Sequence, residues 1–229
     1  FMPTQEDLEP HLATAGLLAL GSPLNPTGTV FSKEKLEEIC DLVLAENKRR
    51  EGKRKPLYVL YDQIYWQLCY GETQHHDPVS VNAQMRPYTI YIDGISKAYS
   101  ATGVRVGWSF GPEHIINKMK AILGHLGAWS PKPEQTATAK FLKNEDAVES
   151  YLNWFKGALE NRLTGFYDAF KTLRSEGIPV DVIWPQAAIY LTVKIDLVGR
   201  KTGNGSTINS VADTTAYLLE TAGVALVPF

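Results

Sequence analysis

Residues 94–108, "GISKAYSATGVRVGW", hold a single lysine among glycines and small residues, with one arginine eight positions after it. Sequences rich in β-branched and aromatic residues flank this stretch: "YTIYIDGIS" (88–96) leads into it and "RVGWSFG" (105–111) closes it. Such composition favours strands. Lys97 is therefore predicted to lie where a buried strand ends, which is where ligands bind in open parallel sheets.

The sequence before this stretch alternates short apolar runs with helical patterns. Two more strands are predicted in "LLALGSP" (17–23) and "PLYVLYDQIYW" (56–66). Between them, residues 32–50 keep apolar side chains at helical spacing with Ser32 as the N-cap, and a further helix is predicted at 113–129. Apolar strands that alternate with helices predict an α/β fold whose mainly parallel sheet is sandwiched by helices.

The second half of the chain predicts a long helical region followed by a smaller α+β domain. Three regions are expected: part of a large domain at 1–133, a connecting helical region at 134–175 with a break near 143–146, and part of a small C-terminal domain at 176–229. The elements predicted in the last region are two strands within 179–197 that meet at Pro185, a helix at 210–223 and the opening of a strand in "VALVPF" (224–229). That final apolar run has no turn or cap after it, which predicts an incomplete chain.

Composition and charge exclude several classes of protein. Lys plus Arg number 23 against 25 Asp plus Glu, so the formal charge of −2 provides no general attraction to nucleic acid or to a membrane surface. No apolar run approaches the roughly 20 residues that a membrane-spanning helix needs. The two cysteines, Cys40 and Cys69, lack metal-ligand or disulfide-framework spacing. We expect a cytoplasmic protein whose partners are small molecules or another protein chain.

Two polar features have ordinary interpretations. The basic run "KRREGKRK" (48–55) follows a predicted helix, so it is interpreted as a solvated connector rather than as a nucleic-acid patch. His75 and His76 are adjacent in a polar loop without a third ligand at metal-binding spacing, so they are interpreted as surface residues. No metal site is predicted.

Polar groups follow three of the predicted strands, in "SPLNPTGT" (22–29), "YDQIY" (61–65) and the 94–108 stretch. A partly desolvated lysine gains the ability to attack a carbonyl, so Lys97 is a candidate Schiff-base lysine. Arg105 offers a bidentate fork for phosphate, and glycines beside it let the backbone approach a ligand. Together these residue types indicate an aldehyde that bears a phosphate.

Three more side chains extend this interpretation to a pyridine ring. A carboxylate such as Asp62 at a strand end can keep a pyridine nitrogen protonated, which makes the ring an electron sink. Tyr65 and Asn25 can donate hydrogen bonds to a ring oxygen and so tune the acidity of a neighbouring imine. Tyr65 has an alternative interpretation, in which it only packs with Tyr61 and Trp66.

The order of these motifs resembles the class I and II aminotransferases, fold-type I enzymes that use pyridoxal 5'-phosphate. The resemblance rests on Asn-Pro-Thr-Gly at 25–28, Asp-x-x-Tyr at 62–65, and Ser-Lys at 96–97 followed by Arg-x-Gly at 105–107. It covers the whole chain, and it implies that residues 1–133 belong to the cofactor-binding large domain. It further implies amino acid and 2-oxo acid substrates and a homodimer.

The resemblance also implies a role for each matched residue. Lys97 would form the Schiff base and shuttle the substrate's α-proton, and Asp62 would hold the pyridine nitrogen. The ring oxygen would be bound by Tyr65 and Asn25, with Asn25 also near the substrate carboxylate. Arg105 and Ser96 would bind the phosphate.

This sequence departs from the family pattern in two places. Gly94 stands where many members have a phosphate-binding serine, which leaves only Ser96 for that contact. The family's phosphate loop, its ring-stacking aromatic residue and its carboxylate-binding arginine have no match, and Arg200 in a glycine-rich loop is a poor substitute. We therefore expect residues 1–229 alone to bind the cofactor weakly and to turn over little or nothing.

Two other functions share the same motifs. A β-elimination lyase acting on a sulfur amino acid would use the same lysine and the same electron sink. An aminotransferase-like sensor module of a transcription regulator would keep the cofactor site and add a DNA-binding domain.

Overall fold

A computed structural model describes all residues from 1 to 229, and the chain forms two compact units. Unit 1 comprises residues 1–163 together with 185–190, and unit 2 comprises residues 164–184 and 191–229. The division into three regions made from the sequence stays a prediction about the domains of the whole protein.

Unit 1 is built on one four-stranded sheet in the order β1-β2-β3-β4. The strands are β1 (Leu17–Gly21), β2 (Tyr58–Asp62), β3 (Thr89–Gly94) and β4 (Gly107–Phe110). The first three are parallel, and β4 runs antiparallel to β3. The predicted α/β class with a mainly parallel sheet is confirmed. Because parallel strands end at the same edge, Gly21 at the end of β1 lies beside Asp62 at the end of β2.

Unit 1 also contains six α-helices. They are α1 (Gln5–Leu12), α2 (Lys33–Arg50), α3 (Pro78–Val81), α4 (Glu113–Leu126), α5 (Lys132–Leu142) and α6 (Glu145–Ser175), the last of which continues into unit 2. Ser32 caps α2 as predicted, since its side chain accepts a hydrogen bond from the Lys35 N–H. The apolar stripe of α2 forms the core with the strands; its buried members are Leu36, Ile39, Cys40 and Val43. The predicted break near 143–146 is also present, between α5 and α6.

The basic run 48–55, which was interpreted as a solvated connector, contains a buried arginine at the end of α2. Arg50 is only 3% exposed, and its Nε pairs with Glu46 at 2.5 Å. Its Nη2 donates to the carbonyl oxygens of Leu12 (2.5 Å) and Ala15 (2.7 Å), and its Nη1 donates to that of Lys55 (3.3 Å). The interpretation was wrong for this residue, because the guanidinium satisfies backbone carbonyls that would otherwise be buried unpaired.

Unit 2 contains a small antiparallel pair, β5 (Val180–Val182) with β6 (Val193–Ile195), and helix α7 (Val211–Ala222). The predicted strands within 179–197 are shorter than expected, since only six of these residues belong to the pair. Residues 224–229 form no strand, so the prediction of a strand that opens at 224 was wrong. Val224 instead donates its N–H to the Leu218 carbonyl, and Gly223 caps α7 with a φ of +67°, which is a helix C-terminal motif. No helix of the chain has the length and apolar character to cross a bilayer.

The polar loop after β2 buries the histidine ring that was expected at the surface. Neither ring nitrogen of His75 is exposed or has a hydrogen-bond partner. Its ring lies 6.1 Å from the ring centroids of both Tyr61 and Trp66. Burial, opposed by the nearby Asp77 carboxylate and assisted by His76, lowers the pKa of His75 to about 4. The surface interpretation of His75 was therefore wrong.

The free energy of unfolding should fall in mild acid because of His75. A histidine whose pKa is lower in the folded state contributes its full stability above the unfolded value of about 6.5 and loses it as the pH falls toward 4. Between pH 7 and pH 4.5 we expect a loss of about 2.5 kcal/mol from this group. Urea unfolding at the two pH values would measure it. His75→Phe should remove most of that difference, whereas His125→Phe, at an exposed position of α4, should retain it. Equal pH dependence in the wild type and His75→Phe would contradict the assignment.

Candidate active site

The carboxyl ends of β1 and β2 open into a cavity of about 440 Å³. The cavity is lined by Ala19, Leu20, Gly21, Pro23, Leu24, Asn25, Leu60, Asp62, Ile64, Tyr65 and Lys97. Four residues predicted from the motifs, Asn25, Asp62, Tyr65 and Lys97, therefore lie around one space. The topology explains this arrangement, because each of them lies at or just after the carboxyl end of a parallel strand, at the same edge of the sheet.

Lys97 and Asp62 approach the cavity from neighbouring strands. Lys97 lies in the loop after β3 and is half-buried, with its Nζ 5.8 Å from the centroid of the Tyr65 ring. Asp62 ends β2 and is exposed, and its Oδ1 accepts a hydrogen bond of 3.1 Å from the N–H of Ile64. That bond turns the chain out of the strand, so β2 ends at Asp62, whereas the sequence predicted a strand as far as Trp66.

Tyr65 is 1% exposed and has a polar partner as well as apolar neighbours. Its hydroxyl lies 2.6 Å from the hydroxyl of Tyr190, and the two rings meet edge to face at 5.6 Å. Burial, together with this hydrogen bond, raises the pKa of Tyr65 well above its ordinary value. The phenol is therefore neutral and can donate one proton at physiological pH.

The Asn-Pro-Thr-Gly turn requires its glycine. Two backbone bonds of 2.8 Å, Leu24 N–H to Thr29 and Gly28 N–H to Leu24, close the turn and leave Asn25 exposed at its rim. Gly28 has a φ of +70°, and a Cβ there would lie 2.6 Å from the carbonyl oxygen of Ala187. No other residue type can adopt this conformation at such a close approach without moving its neighbour.

The two residues predicted to bind phosphate do not line the cavity. Arg105 is exposed and adopts the left-handed conformation with a φ of +60°, and its Nη1 donates to the Thr102 carbonyl in its own loop at 2.8 Å. Ser96 is half-buried beside Lys97. Position 94 requires glycine for a steric reason, since a Cβ there would lie 2.9 Å from the Val106 carbonyl oxygen.

Sequence reasoning missed two polar residues that contact the motif residues or their neighbours. Asp93, buried at the end of β3, accepts hydrogen bonds from Trp66 Nε1 (3.0 Å) and from the N–H of Gly94 (2.7 Å). Burial raises the pKa of its carboxyl. The signal for Asp93 was present, because it is the one charged residue in the apolar run "YTIYIDGIS". Tyr190 lay far from every motif and carried no such signal.

A larger cavity of about 720 Å³ lies at another place in unit 1, between the last turns of α2 and the residues that precede β2 and β3. None of the motif residues lines it, and its charged lining residues are Lys48, Arg50, Glu51 and Arg54. The smaller cavity instead brings together the amine of Lys97, the carboxylate of Asp62, the phenol of Tyr65 and the amide of Asn25 at the carboxyl edge of the sheet. These groups together can bind a polar aromatic ligand bearing a carbonyl.

The profile of the family "Aminotransferase class I and II" matches residues 1–229. The chain belongs to the class I and II aminotransferase family. Among the relatives, it is 30% identical to the aspartate aminotransferase of Bacillus sp. (strain YM-2) over 210 residues, which are 91% of this chain and 48% of that protein. It is also 30% identical to the probable N-acetyl-LL-diaminopimelate aminotransferase of Bacillus subtilis, covering 92% of this chain and 46% of the relative.

A solved structure shares the fold of this aminotransferase family member. The aspartate aminotransferase from Rhizobium meliloti superposes with a TM-score of 0.81 at 25% identity, covering 99% of this chain and 53% of that one. The chain thus spans about half the length of the relatives it matches.

Class I and II aminotransferases use pyridoxal 5'-phosphate. The cavity fits this cofactor in its chemistry, because its lining contains an amine that can react with an aldehyde, a carboxylate that can pair with a pyridine nitrogen, and a phenol and an amide that can donate to a ring oxygen. Its volume of about 440 Å³ falls within the range of roughly 300–1,000 Å³ typical of small-molecule sites.

Proposed function

We propose that the whole protein is a pyridoxal-phosphate-dependent aminotransferase, which moves an amino group between an amino acid and a 2-oxo acid. The observation that carries this proposal is the meeting of Asn25, Asp62, Tyr65 and Lys97 around one cavity at the carboxyl edge of the sheet. Membership of the aminotransferase family supports it over the full matched length.

Each residue would have a distinct task toward the cofactor. Lys97 would hold the aldehyde through its amine, and Asp62 would keep the pyridine nitrogen protonated. The hydroxyl of Tyr65 and the amide of Asn25 would donate to the ring oxygen. When bound, pyridoxal phosphate supplies an electron sink for the negative charge that develops at the substrate's α-carbon. Arg105 and Ser96 are proposed for the phosphate, a role that requires the Arg105 side chain to leave its bond with Thr102.

Lys97 would also move the proton. With its amine free, Nζ would take the proton from the α-carbon of the substrate and return it at the carbon of the former aldehyde. The Nζ of Lys97 lies 5.8 Å from the centroid of the Tyr65 ring, so the two groups border the same space.

The substrates, assembly and compartment are also proposals. The relatives named above act, by their names, on aspartate or on N-acetyl-LL-diaminopimelate, so aspartate is the first amino donor to test. A homodimer and a cytoplasmic location stay predictions from the sequence.

A half-reaction tests the proposed function against the lyase. The whole protein, loaded with pyridoxal phosphate, is mixed with an excess of one amino acid and no 2-oxo acid. We expect one equivalent of 2-oxo acid per site and a change in visible absorbance that reverses only when a 2-oxo acid is added. Continuous release of ammonia and 2-oxo acid without an acceptor would identify a lyase and reject the aminotransferase.

A further inference from the structure

Residues 185–190, "PQAAIY", form a segment that we call the site strap. The strap belongs to unit 1, although the residues on both sides of it belong to unit 2. It pairs antiparallel with the chain beyond the Asp-x-x-Tyr motif: Tyr70 donates its N–H to the Gln186 carbonyl at 3.0 Å, and Ala188 donates its N–H to Leu68 at 2.9 Å. The Tyr70 hydroxyl also donates to the Ala188 carbonyl.

The other side of the strap packs on the Asn-Pro-Thr-Gly turn. The Oε1 of Gln186 accepts a hydrogen bond of 3.2 Å from the N–H of Val30. The Ala187 carbonyl occupies the space that a side chain at Gly28 would need. Ala187 and Ala188 are fully buried, and Ala188 adopts a left-handed φ of +67°, which costs energy for a residue with a Cβ. The strap therefore joins the two motif turns that border the cavity, at the expense of local strain.

Tyr190, the last residue of the strap, is aimed at Tyr65. The two hydroxyl oxygens are 2.6 Å apart, and either one can be the donor. The two tyrosines carry two hydroxyl protons, and only one of these forms the hydrogen bond between their oxygens. If Tyr190 donates, the proton of Tyr65 is free for an oxygen in the cavity; if Tyr65 donates, only its lone pairs remain available there. A bound anionic oxygen would select the first arrangement, because it needs a donor.

We propose that Tyr190 is a positioning residue for Tyr65. It holds the Tyr65 ring in place and, by donating to its hydroxyl oxygen, directs the Tyr65 proton to the ring oxygen of a cofactor in the cavity. A hydroxyl that accepts one hydrogen bond is a better donor of another, so the two bonds strengthen each other. This inference rests on the proposed function, since it concerns the same cavity and cofactor.

The test compares Tyr190→Phe and Tyr65→Phe, singly and together, in the whole protein, with Tyr217→Phe on α7 as the matched control. Pyridoxal 5'-phosphate is titrated into each cofactor-free protein, and the visible absorbance of each loaded protein is followed against pH without substrate. Loss of one neutral hydrogen bond should weaken cofactor binding by Tyr190→Phe about three- to tenfold. It should also move the pH midpoint of the absorbance change upward by about half a unit or more, because the ionised ring oxygen loses support.

The double variant separates positioning from a general effect on the fold. If Tyr190 acts through Tyr65, Tyr190→Phe should change neither binding nor the pH midpoint further once Tyr65 is Phe. A wild-type midpoint in Tyr190→Phe would overturn the inference, as would an undiminished effect in the Tyr65→Phe background. A wild-type protein that does not bind pyridoxal phosphate, or a Lys97→Ala variant with unchanged absorbance, would overturn the proposed function and the inference together.

Discussion

Lys97→Ala in the whole protein should reduce the rate of amino transfer by more than about 1,000-fold. The substitution removes the one amine that lines the cavity, which is the group proposed both to bind the aldehyde and to move the α-proton. The rate of 2-oxo acid formation from a single amino acid measures the loss. The visible absorbance of the loaded protein should also shift, because free aldehyde replaces the lysine linkage.

Two variants make this result specific. Lys118→Ala, on the exposed face of α4, removes a lysine of the same size and should keep the wild-type rate. Lys97→Arg keeps the positive charge but supplies a group that stays protonated, so it should be as inactive as Lys97→Ala. Wild-type turnover in Lys97→Ala would remove Lys97 from the mechanism altogether.

Arg50→Met should destabilise the fold by about 3–5 kcal/mol, which is the usual cost of removing one partner from a buried ion pair. The methionine fills much of the space but cannot satisfy the carbonyls of Leu12 and Ala15 that Arg50 now binds. Burial by itself would raise the pKa of Glu46, but the hydrogen bonds from Arg50 and Arg49 outweigh it and hold that pKa below its ordinary value. Without Arg50 the carboxylate loses its buried partner.

The neighbouring arginine is a matched control for this measurement. Arg49 contacts the same carboxylate at 2.7 Å but is 61% exposed, so Arg49→Met should cost less than about 1 kcal/mol. Urea unfolding of the wild type and the two variants gives the comparison, and a thermal midpoint lowered by roughly 10 °C should accompany the larger loss. Equal, small losses in both variants would show that burial of Arg50 contributes nothing to stability.

The local sequence pattern predicted most elements of unit 1, because apolar spacing and capping residues within each segment determine those elements. The stripe of α2 and the capping by Ser32 are visible within a short stretch of sequence, and so is the break between α5 and α6. Where an element ends was harder to predict, since the end of β2 depends on the bond from the Ile64 N–H to the Asp62 carboxylate. The segment between β5 and β6 was also hard to predict, since residues 185–190 pair with residues 68–70, which no local pattern reveals.

The residues of the candidate site likewise include some that local sequence could predict and some that it could not. Asn25, Asp62, Tyr65 and Lys97 could be predicted because each belongs to a short motif after a strand, and the parallel topology then brings them together. Tyr190 could not, because 125 residues separate it from Tyr65 and its own segment is not distinctive. Burial of His75 and Arg50 was equally hidden, since both lie in polar sequences whose position is set by distant packing.

Truncation after Leu163 would remove more than unit 2. The chain leaves unit 1 within α6, returns for the six residues of the strap and leaves again, so no single cut separates the two units. A shortened protein ending at 163 would lack the partner of Tyr65 and the strand partner of Leu68 and Tyr70. An N-terminal fragment would therefore not retain the complete surroundings of the cavity. A protein without unit 2 would have to keep residues 185–190, joined to α6 through a designed linker.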